Sequence, residues 1–185
     1  MNKKELKQKS SSVNIHDALF NPGSIVVIGA SNNDLKPGGR VIKNIKSHGF
    51  EGKLWAVNPK TRNILDLPTF SSIEDLPGAP DLAIIAIPAK FVLQCLKDLA
   101  RKKVRVVIIL TSGFGEKDDQ GKILEREMLA IAEAADITLI GPNCSGFMTP
   151  AYKGKFAGII PELPGNTVDF ISGSGATVDY VMEQA

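Results

Sequence analysis

The sequence has little of several features that mark other classes of protein. Its 185 residues include only two cysteines, Cys95 and Cys144, and no recognisable export signal, which favours reduced thiols in a cytoplasmic protein. No stretch of about 18 apolar residues occurs, so no segment is predicted to cross a membrane. The 22 basic and 20 acidic residues leave a net charge of +2, and no dense stripe of Lys and Arg follows the first dozen residues. This balance argues against a protein that binds nucleic acid.

The remaining composition indicates one globular domain and part of another. Hydrophobic residues make up 43% of the chain, which is enough for a substantial core. The chain begins with a basic, polar stretch without an apolar centre. We therefore expect residues 1–15 to be a disordered terminus rather than a signal peptide, and residues 16–150 to form the first domain.

Five apolar runs rich in Ile and Val alternate with amphipathic segments. Continuous hydrophobicity, without alternation, is typical of parallel strands that are buried on both faces. The predicted strands are Ser24–Ile28, Lys53–Val57, Leu82–Ile87, Val104–Leu110 and Thr138–Ile140. The predicted helices are Val41–His48, Ala89–Lys102 and Asp118–Ala135. This order predicts an α/β fold, a Rossmann-like doubly wound parallel sheet.

Two regions lack a long periodic element. Residues 61–80 are predicted to form a loop with one helical turn near Ser72–Leu76, and residues 143–164 are rich in Gly and Pro and are predicted to be irregular. Beyond them, Thr167–Ile171 has the pattern of a strand and Ala176–Ala185 that of the start of a helix. Because a single βα unit cannot bury its own faces, we expect residues 151–185 to be a linker and the truncated start of a second domain.

The first predicted strand ends in a loop that suits a phosphate. Gly29-Ala30-Ser31 follows the strand, and Lys36-Pro37-Gly38-Gly39-Arg40 precedes the next helix. A glycine turn before a helix N-terminus presents backbone N–H groups to an anion. The G-x-G-x-x-G spacing of dinucleotide-binding proteins is absent. These features predict a nucleotide that carries more negative charge than a simple pyrophosphate.

The residues at the end of the second predicted strand argue against NAD as the ligand. NAD is usually held there by an acidic side chain on the ribose, and this chain has Asn58 and Lys60 instead. A lysine at this position suits an additional phosphate on the ribose. A solvated loop lysine is the alternative interpretation of Lys60.

The loops after all five predicted strands together resemble a known family. They are Gly29-Ala30-Ser31, Val57-Asn58-Pro59-Lys60, Ile87-Pro88-Ala89, Thr111-Ser112-Gly113-Phe114 and Gly141-Pro142-Asn143-Cys144. This set is similar to the CoA-binding domain of NDP-forming acyl-CoA synthetases, which include ADP-forming acetyl-CoA synthetases and the succinyl-CoA synthetase α subunits. The resemblance covers residues 16–150 and continues through residue 185 as the start of a flavodoxin-like ligase domain.

The resemblance implies which residues contact each part of coenzyme A. Those implied at the phosphates are Gly29, Ala30, Ser31, Lys36, Pro37, Gly38 and Arg40. Those implied at the adenosine end and its 3′-phosphate are Val57, Asn58, Pro59 and Lys60. Those implied along the adenine and pantetheine path are Ile87, Pro88 and Phe91. Those implied to guide the pantetheine arm are Ser112, Gly113 and Asn143.

The resemblance also implies a reaction for the parent protein. Acid–thiol ligases of this family interconvert acyl-CoA, ADP and phosphate with acid, CoA and ATP through a phosphohistidine. The chain has two histidines, His16 and His48, and neither lies in a matching motif, so we expect this chain to bind CoA without completing the reaction. The expected partners are the remaining synthetase domains or a β-type nucleotide-grasp subunit. The alternative is a non-enzymatic regulatory module that binds CoA or NAD(H).

Two further features receive no catalytic assignment. Cys144 lies beside the implied path of the CoA thiol, but no His or Asp adjoins it in sequence to activate it. The turn Ser172–Gly175 resembles a family loop whose following helix faces the phosphohistidine. Relatives commonly carry a larger polar residue where Gly173 stands, and no metal ligands or catalytic residues are predicted.

Overall fold

A six-stranded parallel sheet forms the centre of the fold in the computed structural model, which describes residues 14–158, 160–162 and 170–184. The strands are β1 (Ser24–Ile28), β2 (Lys53–Val57), β3 (Thr69–Phe70), β4 (Leu82–Ile85), β5 (Val106–Ile109) and β6 (Thr138–Ile140). Their order across the sheet is β3-β2-β1-β4-β5-β6. The chain therefore winds outward from β1 in one direction and from β4 in the other, and the predicted doubly wound α/β fold is confirmed.

Helices connect the strands and cover the two faces of the sheet. They are α1 (Ile15–Phe20), α2 (Pro37–Ser47), α3 (Val92–Arg101) and α4 (Asp119–Ala135), and a 3₁₀ turn at Ala89–Phe91 leads into α3. Val26 and Ile28 of β1 belong to the core beneath α3 and α4, whereas Ile25 and Val27 belong to the core beneath α2. Because both faces of the strand are buried, no polar residue interrupts its Ile and Val run.

Helix α2 begins at Pro37, four residues before the predicted start at Val41. Proline is favoured in the first turn of a helix because its missing N–H would have no partner there. Gly38 and Gly39 are buried in this turn against the preceding loop. Two consecutive glycines disfavour a helix, so the sequence pattern did not include them in α2. Their close packing against the preceding loop compensates for this low helix propensity.

Other boundaries also differ from the prediction. Strand β4 ends at Ile85 rather than Ile87, and β5 is shorter than predicted at both ends. Strand β3 was not predicted, because its two residues are too few to form a pattern, and it is defined by pairing with β2. Helix α1 begins at Ile15, where the Asn14 side chain accepts a hydrogen bond from the N–H of His16 at 3.1 Å. Asn14 and Ile15, the last two residues of the terminus predicted to be disordered, are thus the N-cap and the first residue of α1, and residues 1–13 lie outside the described part.

A two-stranded antiparallel sheet occupies the region that was predicted to be irregular. Strand β7 (Gly146–Met148) pairs with β8 (Lys153–Lys155). The Asn44 side chain of α2 donates to the carbonyl of Lys155 at 2.6 Å, and the Thr149 hydroxyl donates to the carbonyl of Phe20 at 3.1 Å. Residues 152–155 are buried, so the packed structure continues past residue 150, where the first domain was predicted to end.

Helix α5 (Gly175–Gln184) matches the helix predicted near the end of the chain within one residue at each end. An ion pair of 2.5 Å joins its Asp179 to Lys155 of β8, whose side chain is only 3% exposed. Thr167–Asp169 of the predicted strand lie outside the described residues, and Phe170 and Ile171 are not in a strand. Among the residues that the structure describes, no helix combines the length and the hydrophobicity needed to span a bilayer.

Replacing Asn44 should separate the hairpin from α2. The substitution Asn44→Ala leaves the buried carbonyl of Lys155 without this donor, and an unpaired buried polar group costs about 1–3 kcal/mol. We expect the free energy of unfolding in urea to fall by about that amount.

The matched control for this test is Lys43→Ala on the same helix. Lys43 forms an exposed ion pair with Asp34, and exposed pairs contribute only about 0–1 kcal/mol. Equal losses in the two variants would contradict a structural role for the Asn44 hydrogen bond.

Candidate functional site

The carboxyl ends of the parallel strands bring the five predicted loops to one edge of the sheet. The loops after β2, β1, β4, β5 and β6 lie side by side there, in that order. The direction of winding reverses between β1 and β4, and this switch point is where open α/β sheets bind their ligands. Four inter-strand spacings of about 4.8 Å separate β2 from β6, so a ligand that contacts every loop must be elongated.

The loop after β1 and the start of α2 approach each other backbone to backbone. Gly29 has a φ of +85°, and a Cβ atom added there would lie 2.3 Å from the carbonyl oxygen of Ala86. A Cβ atom on Gly38 would lie 2.1 Å from the carbonyl oxygen of Gly29. These contacts exclude side chains and set the start of α2 at the switch point. Pro37 has no N–H and the N–H groups of Gly39 and Arg40 donate to the carbonyl of Lys36, so the N–H of Gly38 is the donor of this turn that can bind an anion.

Polar and basic groups surround this helix N-terminus. The Ser31 hydroxyl accepts a hydrogen bond from the N–H of Asn33 at 3.1 Å, which leaves its own proton available for a ligand. Lys36 caps α2 and is exposed, and exposed Arg40 donates from Nε to the carbonyl of Asp34 at 3.0 Å. The site therefore offers a hydroxyl, a backbone amide and two cations to a phosphate.

The carboxylate nearest to these cations already has a partner. The Lys43 ammonium lies 2.6 Å from Asp34, and this hydrogen bond and charge hold the pKa of Asp34 below its usual value. The charge of Arg40 also lowers the pKa of Asp34, so Arg40 is shared between this carboxylate and an incoming anion, whereas Lys36 forms no ion pair within the described residues.

Asn58 braces two of the loops. Its Nδ2 donates to the carbonyl of Ala30 at 2.8 Å, and its Oδ1 accepts from the N–H groups of Lys60 at 2.8 Å and Thr61 at 3.2 Å. The side-chain amide predicted to face the ligand is therefore used to fix the loop that carries Lys60. Ala30 and Val57 are 0% and 5% exposed, so they offer a ligand their backbone rather than their side chains.

The loop after β4 presents an apolar surface. Ile87 is half-buried, Pro88 is exposed, and Phe91 is 51% exposed. The Lys90 ammonium lies 4.9 Å from the centre of that ring, within the range of a cation–π interaction. Lys90 was not among the predicted residues, although it adjoins them in sequence.

Hydrogen bonds join the loops after β4, β5 and β6. The Thr111 hydroxyl donates to the carbonyl of Ile87 at 2.7 Å, and the Thr111 carbonyl accepts from the N–H of Asn143 at 2.9 Å. Among the candidate residues of these three loops and of the loop after β2, the exposed ones are Pro59, Lys60, Pro88, Phe91, Ser112 and Asn143. All of the sequence-predicted residues lie in or next to the strand-end loops.

Glu116 was not predicted, and it completes the loop after β5. Its carboxylate accepts a short hydrogen bond from the N–H of Gly113 and a second, of 3.2 Å, from the N–H of Phe114. These hydrogen bonds from the backbone, chiefly the one from Gly113, hold the pKa of Glu116 below its usual value. Nothing in the sequence marks this interaction, because the side chain turns back on its own loop.

The two cysteines have the environment of structural thiols. Cys144 Sγ lies 3.4 Å from the carbonyl of Ile109, and burial raises its pKa. Cys95 lies in the core beneath α3, where burial raises its pKa to about 12. Neither thiol has the depressed pKa of an activated nucleophile.

The histidines lie away from the strand-end loops. His48 follows the last residue of α2, at the opposite end from the candidate site, and its Nδ1 lies 2.8 Å from the carbonyl of Asn44. His16 is exposed on α1 and stacks on Phe20 with ring centres 4.7 Å apart.

Two surface depressions of about 300 Å³ each lie at the amino edge of the sheet. One is lined by residues that include Phe50 and Trp55, and the other by residues that include Pro22 and Pro150. They are at the opposite end of the strands from the glycine turn and the helix N-terminus. Neither depression therefore belongs to the candidate site, which lies at the carboxyl ends of the strands.

Comparison with known proteins agrees with this geometry. The model of a family described as the CoA binding domain matches residues 23–150. The chain belongs to this family of CoA-binding domains. Membership confirms coenzyme A as the predicted cofactor and the Rossmann-like fold as that of the CoA-binding domain.

The similarity to individual proteins extends beyond residues 23–150, the part of the chain that the family model matches. The chain is 42% identical over 160 residues to the α subunit of ADP-forming acetate–CoA ligase II from Pyrococcus furiosus, which covers 86% of this chain and 35% of that subunit. It is 38% identical over 169 residues to ADP-forming acetate–CoA ligase I from Archaeoglobus fulgidus, which covers 90% of this chain and 24% of that protein. The chain therefore spans about a quarter to a third of these relatives.

A solved structure has the same fold over nearly the whole chain. It is the dinucleotide forming acetyl-coenzyme A synthetase 1 of Ca. Korarchaeum cryptofilum in complex with phosphate and ADP. The TM-score is 0.84 at 33% identity, and the match covers 93% of this chain and 36% of that one.

Replacing Gly38 should disturb the packing of α2 on the loop after β1. In Gly38→Ala the new methyl meets the rigid backbone of Gly29, and overpacking of this kind costs about 1–3 kcal/mol. We expect the free energy of unfolding in urea to fall by that amount and the amide resonances of Gly29 and Ala30 to shift.

Gly78→Ala is the matched control for Gly38→Ala, because no heavy atom lies within 4 Å of a Cβ built on Gly78. Its free energy of unfolding should change by less than about 0.5 kcal/mol. If Gly38→Ala were as stable as Gly78→Ala, the close backbone contact would be wrong.

Proposed function

We propose that this chain is the CoA-binding part of an ADP-forming acyl-CoA synthetase and that it binds CoA along the carboxyl edge of the sheet. Family membership and the two ADP-forming acetate–CoA ligases among its relatives support this proposal. The parent reaction interconverts acyl-CoA, ADP and phosphate with acid, CoA and ATP.

The observation that carries the proposal is the chemical division of the edge. The loop after β1 and the start of α2 combine the Ser31 hydroxyl and the N–H of Gly38 with two basic side chains, whereas the loop after β4 exposes apolar carbon of Pro88 and Phe91. In the proposal Lys36 and Arg40 flank the diphosphate, and Lys60 contacts the 3′-phosphate. Ile87 and Phe91 contact the apolar parts of the ligand. A long molecule with phosphates at one end and a less polar arm at the other fits this division.

The acyl-transfer chemistry is proposed to need residues outside this chain. Bound CoA supplies the thiol that accepts the acyl group. The phosphorylated histidine of the parent reaction belongs to another part of the protein in this proposal, because neither His16 nor His48 lies at the carboxyl edge. The further partner is then the remaining synthetase domains or a nucleotide-grasp subunit.

The start of α5 is proposed to face that histidine. A Cβ atom on Gly175 would lie 3.8 Å from the side chain of Ser145, so the helix N-terminus adjoins the loop after β6. The Ser174 hydroxyl accepts from the N–H of Thr177 at 3.4 Å, which caps the helix. The backbone amides of this turn supply donors for a phosphoryl group.

Calorimetric titration tests the ligand directly. We expect CoA to release or absorb measurable heat with a single site, and dephospho-CoA to bind more weakly. NADH is the comparison ligand, because a regulatory NAD(H) module is the alternative function. Thermal stabilisation by NADH without any effect of CoA would favour that alternative.

Replacing Lys60 should distinguish CoA from dephospho-CoA. If Lys60 contacts the 3′-phosphate, Lys60→Ala should weaken CoA binding about tenfold, which corresponds to about 1.4 kcal/mol, and should change dephospho-CoA binding less than about twofold. The measurement is the dissociation constant of each ligand at fixed ionic strength.

Lys97→Ala supplies the charge-matched control for Lys60→Ala. Lys97 is exposed on α3, away from the strand-end loops, so both dissociation constants should stay unchanged. An equal loss of affinity for both ligands in Lys60→Ala would show that Lys60 does not read the 3′-phosphate.

A further inference from the structure

The loop after β5 contains a pair of backbone amides that point at one carboxylate. Gly113 adopts a φ of +104°, and its N–H and that of Phe114 both donate to Glu116. Successive N–H groups that converge in this way form a concave anion-binding site. Here the anion is a side chain of the same loop.

This amide pair belongs to the candidate crevice. A Cβ atom on Gly113 would lie 3.4 Å from the Cβ of Ala89, and Thr111 ties the base of the loop to Ile87. The Gly113 backbone is thus next to the apolar loop after β4, on the side of the switch point opposite to Lys36 and Arg40.

The two amide-rich parts of the crevice differ in one respect. The first turn of α2 contains no acidic residue, and the nearby Asp34 is paired with Lys43. The amides of Gly113 and Phe114 are instead filled by Glu116. Within the described residues Glu116 forms no ion pair, and its neighbour Lys117 lies 3.6 Å from Asp118. In the described part of the chain the carboxylate of Glu116 is therefore bound by backbone N–H groups and not by a cation.

We infer that Glu116 determines the orientation of the ligand in the crevice by closing the amide pair of Gly113 and Phe114 to anions. Phosphate groups are thereby confined to the loop after β1 and the start of α2, and the uncharged arm of the ligand lies over the loop after β5. This inference rests on the proposed binding of CoA. It makes Glu116 a specificity-determining residue that acts by exclusion: a phosphate at these amides would displace the carboxylate or lie against a like charge.

The substitution Glu116→Gln tests the exclusion. Glu116 uses a different carboxylate oxygen for each N–H, whereas the amide of Gln has only one acceptor oxygen, so the two-oxygen arrangement is lost. The amide also carries no charge that repels phosphate, so we expect an anion to compete for these donors. We expect pyrophosphate, used as the probe, to shift the amide resonances of Gly38 and Ser31 in the wild type without moving those of Gly113 and Phe114. In Glu116→Gln it should also shift Gly113 and Phe114, with a dissociation constant at that loop about tenfold lower than any wild-type value, the change that corresponds to 1.4 kcal/mol.

Two control variants separate this gain from a general effect. Glu127→Gln removes one negative charge from an exposed position on α4 and should leave the Gly113 and Phe114 resonances insensitive to pyrophosphate. Glu116→Asp keeps the charge with a shorter side chain and should restore the exclusion at least in part. If Glu116→Gln lost the dispersion of a folded protein, Glu116→Ala, which also removes the carboxylate, would be titrated with the same probe and should show the same gain at Gly113 and Phe114.

The outcomes distinguish this inference from the proposed function. If pyrophosphate moved Gly113 and Phe114 equally in the wild type and Glu116→Gln, or moved them in neither, the role of Glu116 would be overturned. If CoA moved no amide at the carboxyl edge of the wild type, the proposed function would fail instead. Both the proposed function and this inference would be supported by the following combination. In the wild type CoA shifts the Gly113 resonance and pyrophosphate does not, and in Glu116→Gln pyrophosphate shifts it as well.

Discussion

The close contact between the backbones of Gly29 and Gly38 is the constraint on which the rest of the site depends. No side chain fits between these two backbone segments, because a Cβ atom on Gly38 would lie 2.1 Å from the carbonyl oxygen of Gly29. This approach sets the position of α2 at the switch point, and with it the positions of Lys36 and Arg40. Helix α2 also holds the hairpin of β7 and β8, because Asn44 donates to the carbonyl of Lys155 in β8. The position of α2 therefore links the binding edge to this buried strand.

Hydrogen bonds between loops hold the edge as two groups, one on each side of the switch point, before any ligand binds. Asn58 joins the loops after β2 and β1, and Thr111 joins those after β5 and β4. The N–H of Asn143 then links the loop after β6 to the Thr111 carbonyl. A surface that is already held in place loses less conformational entropy on binding, which favours affinity.

The sequence predicted the parts of the fold that depend on local pattern. Strands β1, β2 and β6 have their predicted bounds, because continuous apolar runs mark buried parallel strands. The hairpin could not be predicted, since β8 (Lys153–Lys155) carries two lysines that only tertiary packing buries. At the site, the loops could be located, but the roles of Asn58 and Glu116 depend on which backbone groups their side chains reach.

Local charge explains how a chain with a net charge of only +2 can offer a site to a strongly anionic ligand. Asp34 is paired with Lys43, which offsets part of its charge beside Lys36 and Arg40. Glu116 is satisfied by amides at the other side of the switch point, where a negative charge discourages phosphate. The charged groups that adjoin the backbone amides therefore differ in sign, with Lys36 and Arg40 on one side of the switch point and the Glu116 carboxylate on the other. Such a gradient orients a molecule that is charged at one end, whereas a uniformly basic crevice would attract it without choosing a direction.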